Sequence, residues 1–495
     1  MRQGLMLLPL ATLLATSLAS GLAYGETLLQ IYEKAVRSDP LVREADANRL
    51  AAQQGKPITR GALLPQVSGR YNLNENAAGG STTTFFGGQT SNRVVDSRDY
   101  PARNWVLELR QSVFRWDQWV KLSQAGKQSA KADVDYEAAQ QDLAVRVAES
   151  YFNVLAAEDS LASEQAAKDA IGRQLEQAKK RFEVGLIAIT DVQEAQAAYD
   201  QAVATEILAK RTLANQQELL RAIIDETPPQ LAKPGLDLPL ASPDPADENR
   251  WVDLAMQQNR SLIASQIGTE IAKDDVSIAR TGHFPTVDFV ATRNNTNNTG
   301  FSRSPCVIPL GCTSPQDPLI TDPFGTIQRL PTGTDLQTDS LSLQFAVPIF
   351  SGGTTSARVQ QAVYQHRAAR ERLERTARET ERQTRDAYLG VMSDISRVQA
   401  LKQAFESSKT ALKASEAGYD VGTRTTVDVL AARRTVFSAE TNFLRSRYDY
   451  LINGLRLKQA AGTLTVEDIA QIDSLLTVTG GPASPAGAVT TPVAN

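Results

Sequence analysis

The sequence predicts an α+β membrane protein in which one helix-and-strand unit is carried twice, and three observations support that prediction. Blocks of the 495 residues match one another at a nearly fixed offset, long helical stretches flank segments of period-two alternation, and no apolar run after Gly25 reaches the length of a membrane-spanning helix. Any membrane crossing therefore falls to strands.

The chain opens with Met1-Arg2-Gln3, an apolar stretch from Leu5 to Leu22, and the small-x-small sequence Ala23-Tyr24-Gly25. That pattern predicts a secretory signal peptide over residues 1–25, and no cysteine follows the cut to carry a lipid. The duplication comes next. Ala35 falls on Ala255, Arg60 on Arg280 and Pro65 on Pro285 at one constant offset, and Gly185 falls on Gly422 at a slightly larger one. Most of the extra length lies in one loop, which also holds both cysteines, Cys306 and Cys312. In an exported chain that pair predicts a local disulfide. The domain organisation is then a first repeat over 26–224, a linker or equatorial segment over 225–249, a second repeat over 250–461, and an equatorial segment with a disordered tail over 462–495.

Each repeat reads helix, strand, polar loop, strand, long helix, shorter helix. Richness in Ala, Gln, Glu, Lys and Leu without Pro places helices at roughly 39–63, 119–184 and 189–224, then 260–283, 356–421 and 426–461. A helix of the longest kind spans about 100 Å at 1.5 Å per residue. The last helix of each repeat carries a heptad seam: Val192, Ala195, Tyr199, Ala202, Ala209, Leu213, Leu220 and Ile223 in the first, Val429, Ala432, Val436, Ala439, Phe443, Tyr450, Leu457 and Ala460 in the second. Glu206 and Gln216 interrupt the first seam, Ser446 and Asn453 the second. Such seams want partner helices.

Strands are clearest where Trp105, Leu107, Leu109, Gln111 and Val113 alternate with Glu108 and Arg110, and where Leu341, Leu343, Phe345, Val347 and Ile349 alternate with Ser342, Gln344 and Ala346. Their partners read as residues 67–73 and 287–292, each just after a proline that ends the preceding helix. Four half-apolar strands expose edges that a bilayer cannot satisfy, and the smallest usual barrels have about eight strands, so the chain must assemble with copies of itself. Polar loops rich in Gly, Ser, Thr, Asn and Pro are expected at about 75–103 and 294–339, on the extracellular side.

Two blocks are the most specific: Arg181-Phe182-Glu183-Val184-Gly185-Leu186-Ile187-Ala188-Ile189-Thr190-Asp191-Val192 and Gly418-Tyr419-Asp420-Val421-Gly422-Thr423-Arg424-Thr425-Thr426-Val427-Asp428-Val429-Leu430. With them the chain resembles the TolC family of outer-membrane efflux and type I secretion channels, over about 27–478. The resemblance implies a homotrimer, a twelve-stranded β-barrel with four strands per chain, and a periplasmic coiled-coil barrel continuous with it. Tyr419 and Arg424 would reach toward Asp191 and Thr190, with Gln174 as a further polar link, and these links would hold the periplasmic end shut. Asp428 would form an acidic ring at the constriction, three carboxylates raising each other's pKa. Ala431 stands where the family pattern has a second Asp, which weakens that ring. Whether Glu194, its counterpart in the first copy, faces the lumen stays open. Val184-Gly185-Leu186 and Val421-Gly422-Thr423 would be hairpin tips meeting a periplasmic adaptor (membrane fusion) protein.

Other classes find little support. Charges of both signs are interspersed at a net of −4, which does not suggest nucleic acid. His283 and His366 form no metal spacing, and neither a phosphate-binding loop nor a nucleophile turn occurs, so neither an enzyme nor a cofactor is expected. An inner-membrane ABC or proton-driven pump would then supply energy for transport through a passive duct set in outer-membrane lipid. A periplasmic coiled-coil adaptor or scaffold without a barrel is the alternative.

Overall fold

The computed structural model describes residues 25–86, 89–235, 238–305, 320–322 and 325–477. Residues 1–24 of the expected leader, both cysteines, and the tail after 477 lie outside them. The described chain forms two compact units, each drawing on both repeats.

One unit comprises Asn48–Asp133 and Ser265–Leu373 and is built around an antiparallel sheet. Its long strands are β1 (Gln66–Phe86), β2 (Gln89–Phe114), β4 (Thr286–Pro305) and β6 (Gly325–Ala346), in the order β1-β2-β4-β6; a three-residue strand, β5 (Ile320–Asp322), pairs only with the start of β6. Register aligns the side chains across the sheet. Val67 faces Leu109, Leu109 faces Ala291, and Ala291 faces Leu341, so one row is apolar over all four strands. The adjacent row, Ser68, Glu108, Thr292 and Ser340, belongs to the opposite face and is polar. Leu341 is 79% exposed within one chain.

The strands outrun the sequence reading. Residues 75–86 and 89–103, expected as loop, continue the β1–β2 ladder through a bulge at Asn76/Ala78, and β4 and β6 likewise extend into the second expected loop. Ladder bonds are made by backbone, so polar side chains do not end a hairpin whose partner strand is present. At the other end β6 stops at Ala346, leaving Val347 and Ile349 outside it, because its partner begins only at Thr286 and Pro348 offers no donor. Asp288 accepts from Arg115 at 2.8 and 2.6 Å, fastening the base of β4 to the segment where β2 turns into helix.

The other unit contains the chain up to Ala47, Val134–Ala264 and the part from Glu374. Each repeat opens with a helix that sequence reading missed: α1 (Leu28–Ser38) and, at the same offset that carries Pro65 onto Pro285, α6 (Glu248–Gln258). Leu28, Ile31, Tyr32 and Ala35 give α1 a buried face at helical spacing. The helix expected at 39–63 is two, α2 (Pro40–Gln53) and α3 (Gly55–Gly61), divided at Gln54-Gly55. Asp39 separates α1 from α2 and accepts from Val42 N at 3.0 Å; Asn259 does the same for Leu262 N, between α6 and α7 (Arg260–Arg280). The long helices are α4 (Trp116–Glu183) and α8 (Thr354–Asp420), and the return helices are α5 (Ile189–Ile224) and α9 (Thr426–Ala461).

The thickest core gathers Leu28, Ile31, Tyr151, Phe152, Leu220 and Leu455. The linker and the end of the described chain close over it. The short strand β3 (Lys233–Pro234) pairs with β7 (Leu476–Thr477), preceded by α10 (Val466–Asp473), and the buried Arg447 donates to the Pro234 and Gly235 carbonyls. Glu206, an interruption of the heptad, is accounted for here: Lys210 and Lys168 hold its carboxylate at 2.8 and 2.9 Å and bring its pKa down to about 2.

Asp39 also joins Arg146 at 3.0 Å. Burial alone would raise its pKa, but Arg146 and the Val42 amide outweigh burial and hold the carboxyl below its usual 3.8. Its contribution to stability is therefore present above pH 3.8 and is lost as pH falls through the depressed value. Asp39→Ala is expected to cost about 2–4 kcal/mol through loss of the cap and of Arg146's partner, and Asp39→Asn less. Thermal unfolding followed by circular dichroism checks this; equal melting of Asp39→Ala and the parent removes Asp39 from the structure's supports.

Candidate functional site

The two hairpins, α4–α5 and α8–α9, turn in the same way. Gly185 stands just past α4 with φ +75°, its N–H bonds to Phe182 O, and Leu186 N reaches back to Arg181 O at 2.9 Å. Gly422, at φ +80°, repeats this past α8, with bonds from its own N–H to Tyr419 O and from Thr423 N to Gly418 O. This six-to-one closure needs a left-handed residue, which glycine supplies at least cost. Val184, Leu186 and Val421 stand 69%, 71% and 74% exposed around the turns.

The hairpins differ at the start of the return helix. Thr425 and Asp428 form a reciprocal capping box: Asp428 Oδ2 accepts from Thr425 N at 2.9 Å and from its hydroxyl at 3.0 Å, while Asp428 N donates to Thr425 Oγ1. At the equivalent place in the first hairpin Ala188 offers no side-chain cap. The Thr-x-x-Asp spacing is visible in the sequence and was the signal for this cap. It changes the electrostatics expected of Asp428. The amide and hydroxyl of Thr425 lower its pKa, so within one chain the shift is opposite to that of a crowded acidic ring.

Ile171 of α4, Ala198 and Ala202 of α5, and Leu430 of α9 form one buried cluster, which joins the two hairpins. Of the expected polar links, Gln174 is buried with its amide Nε2 lacking a hydrogen-bond partner, Asp191 is half-buried, and Thr190 and Arg424 are exposed. Glu194 is exposed. Among the described residues no hydrogen bond or ion pair joins Tyr419 or Arg424 to Thr190 or Asp191. Tyr419 instead has Thr426 Oγ1 3.5 Å from its hydroxyl and the Arg181 guanidinium 4.9 Å from its ring centre. Arg433 pairs with Glu416 at 2.6 Å, bracing α8 to α9. Sequence reading missed Arg181 and the Arg433–Glu416 pair. Neither has a spacing that reports it, because both are contacts between different helices.

Among the described residues no group of three or more His, Cys, Asp or Glu could hold a metal ion. A cavity of about 650 Å³ lies among α4, α8 and α9 beside the start of α7. Its charged lining is already paired, Arg146 with Asp39 and Asp142, Arg456 with Glu149, and Asp386 with Arg382. Such a lining reads as packing rather than as a ligand site.

Comparison with known proteins gives a consistent picture. The family model described as "Outer membrane efflux protein" matches residues 31–225 and 251–463. "Outer membrane protein TolC" of Vibrio cholerae is 34% identical over 474 residues, covering 95% of this chain and 99% of that protein. "Alkaline protease secretion protein AprF" of Pseudomonas aeruginosa is 28% identical, with 90% and 86% covered. Among solved structures, the outer membrane protein VceC of Vibrio cholerae superposes with a TM-score of 0.67 at 16% identity over 88% of this chain and 96% of that one, a likeness of fold alone.

Proposed function

We propose, from the premise that the chain belongs to the outer membrane efflux protein family, that three copies close one twelve-stranded barrel and that the paired hairpins of each copy gate its periplasmic end. The chain is an outer-membrane channel of a Gram-negative cell, serving efflux and type I secretion. The barrel rests on one observation above others, the apolar row of Val67, Leu109, Ala291 and Leu341 opposite a polar one. A strand needs about 9–11 residues to cross a bilayer, whereas β1 has 21 and β6 has 22. The polar remainder of each hairpin then stands clear of the lipid on the extracellular side. A periplasmic adaptor without a barrel has no use for such a face and is set aside.

The gate is assigned to Tyr419, Arg424, Asp191, Thr190 and Gln174. The unpartnered amide of the buried Gln174 supports links that are completed between copies, since a buried donor without a partner costs about 1–3 kcal/mol. Around a threefold axis, Asp428 of each copy makes an acidic constriction that favours cations. The cap on its own helix lowers the pKa of each carboxylate and so favours the ionised form. The exposed apolar side chains of Val184, Leu186 and Val421, with Gly185, Gly422 and Thr423 between them, form the surface for a periplasmic adaptor, and an inner-membrane pump supplies the energy. The duct itself is passive.

Tyr419→Phe combined with Arg424→Ser is expected to raise single-channel conductance in planar bilayers; an unchanged value takes these residues out of the gate. Asp428→Asn keeps an oxygen for Thr425 and loses the charge. It is expected to weaken block of the channel by multivalent cations, and block at full strength takes Asp428 out of the constriction.

A further inference from the structure

The hairpins also differ at one equivalent pair of positions, Arg181 in the first and Gly418 in the second, aligned by the same offset that carries Gly185 onto Gly422. A Cβ at Gly418 would lie 2.7 Å from Arg424 Cγ and 3.2 Å from Thr423 Oγ1. The missing side chain is therefore what lets Arg424, in the turn between α8 and α9, fold back against the end of α8, near the Asp428 carboxylate whose pKa its charge helps to lower. Within one chain Arg424 thus serves the second hairpin. Near the turns a cation crosses from one hairpin to the other at Arg181, on the last turn of α4, whose Cζ stands 4.9 Å from the ring centre of Tyr419 on the last turn of α8. That distance is within the range at which a guanidinium is held by an aromatic face.

From this geometry we infer that Arg181 is a further positioning residue of the gate, holding Tyr419, and with it the second hairpin, against the first. The inference rests on the gate reading given above. Tyr419 is gripped on two sides, by Arg181 at the ring face and by Thr426 at the hydroxyl, and only the first grip links the hairpins. The Arg433–Glu416 pair lies wholly within the second hairpin and travels with it. When that hairpin swings outward the Arg181–Tyr419 contact must break, whereas the Tyr419–Thr426 contact need not.

The test is single-channel recording of the full-length assembled protein in planar bilayers. Arg181→Ala and Tyr419→Leu each remove one partner and are each expected to raise the open-to-closed ratio by about two- to fivefold per chain. Their combination should do no more than either alone. Arg181→Lys, which keeps the cation, should stay near the parent, an outcome that a merely structural role for Arg181 does not require. If Arg181→Ala fails to assemble, as judged by heat-modifiable migration on gels, Arg181→Gln keeps a polar side chain and removes the charge. Parent-like gating of the Ala or Gln variant, while Tyr419→Phe with Arg424→Ser opens the channel, overturns the role of Arg181 alone; so do effects of Arg181→Ala and Tyr419→Leu that multiply. If the Tyr419→Phe and Arg424→Ser pair also leaves the channel shut, the gate reading fails and the inference falls with it.

Discussion

Backbone hydrogen bonding at the two sheet edges is the constraint on which the architecture depends. β1 has a ladder partner on one side only, and β6, apart from its first three residues, is also bonded on one side only. In water such edges bond to solvent, but in hydrocarbon each unmet N–H or C=O costs several kcal/mol. The apolar face that suits the lipid thus makes a single copy untenable there. Pairing β6 of one copy with β1 of the next removes every long edge, and it sets helices from several copies side by side.

Duplication supplies the repeated scaffold, and small departures from it distinguish the two hairpins. Asp39 and Asn259 cap equivalent helices by the same bond, and Asp225 and Gly462 take the same left-handed conformation at the ends of α5 and α9. These positions keep one geometry with interchangeable residues. Near the turns the copies diverge instead: Thr425 caps where Ala188 does not, and Arg181 extends a charge where Gly418 leaves space. At its turn the second hairpin is thus ordered by its own cap and meets the first through Arg181 and Tyr419.

Much of this was legible in the sequence. The four strands, the long helices and the glycines at both turns follow from alternation, composition and the repeat, all of which are local signals. The strands' full length was not legible, because beyond the lipid nothing demands alternation and the ladder continues on backbone bonds alone. Helices α1 and α6 were missed although Leu28, Ile31, Tyr32 and Ala35 have helical spacing, since a short helix beside a leader or a proline-rich linker gives a weak pattern. The partners of Tyr419 were beyond reach for a different reason. A guanidinium from the other repeat is placed by tertiary packing, and no spacing rule reports it.

The most direct measurement of the barrel is covalent capture of its seam. With Cys306 and Cys312 replaced by serine, one cysteine is placed on the free edge of β1, at Val67 or Gly69, and a second on β6, at Leu341 or Leu343, so that several registers are sampled. Oxidation of the membrane-embedded protein should give a covalent trimer on denaturing gels for at least one pair, and only monomer when either cysteine is absent. Absence of any covalent oligomer across all pairs, or a ladder extending beyond three chains, contradicts a barrel closed by three copies.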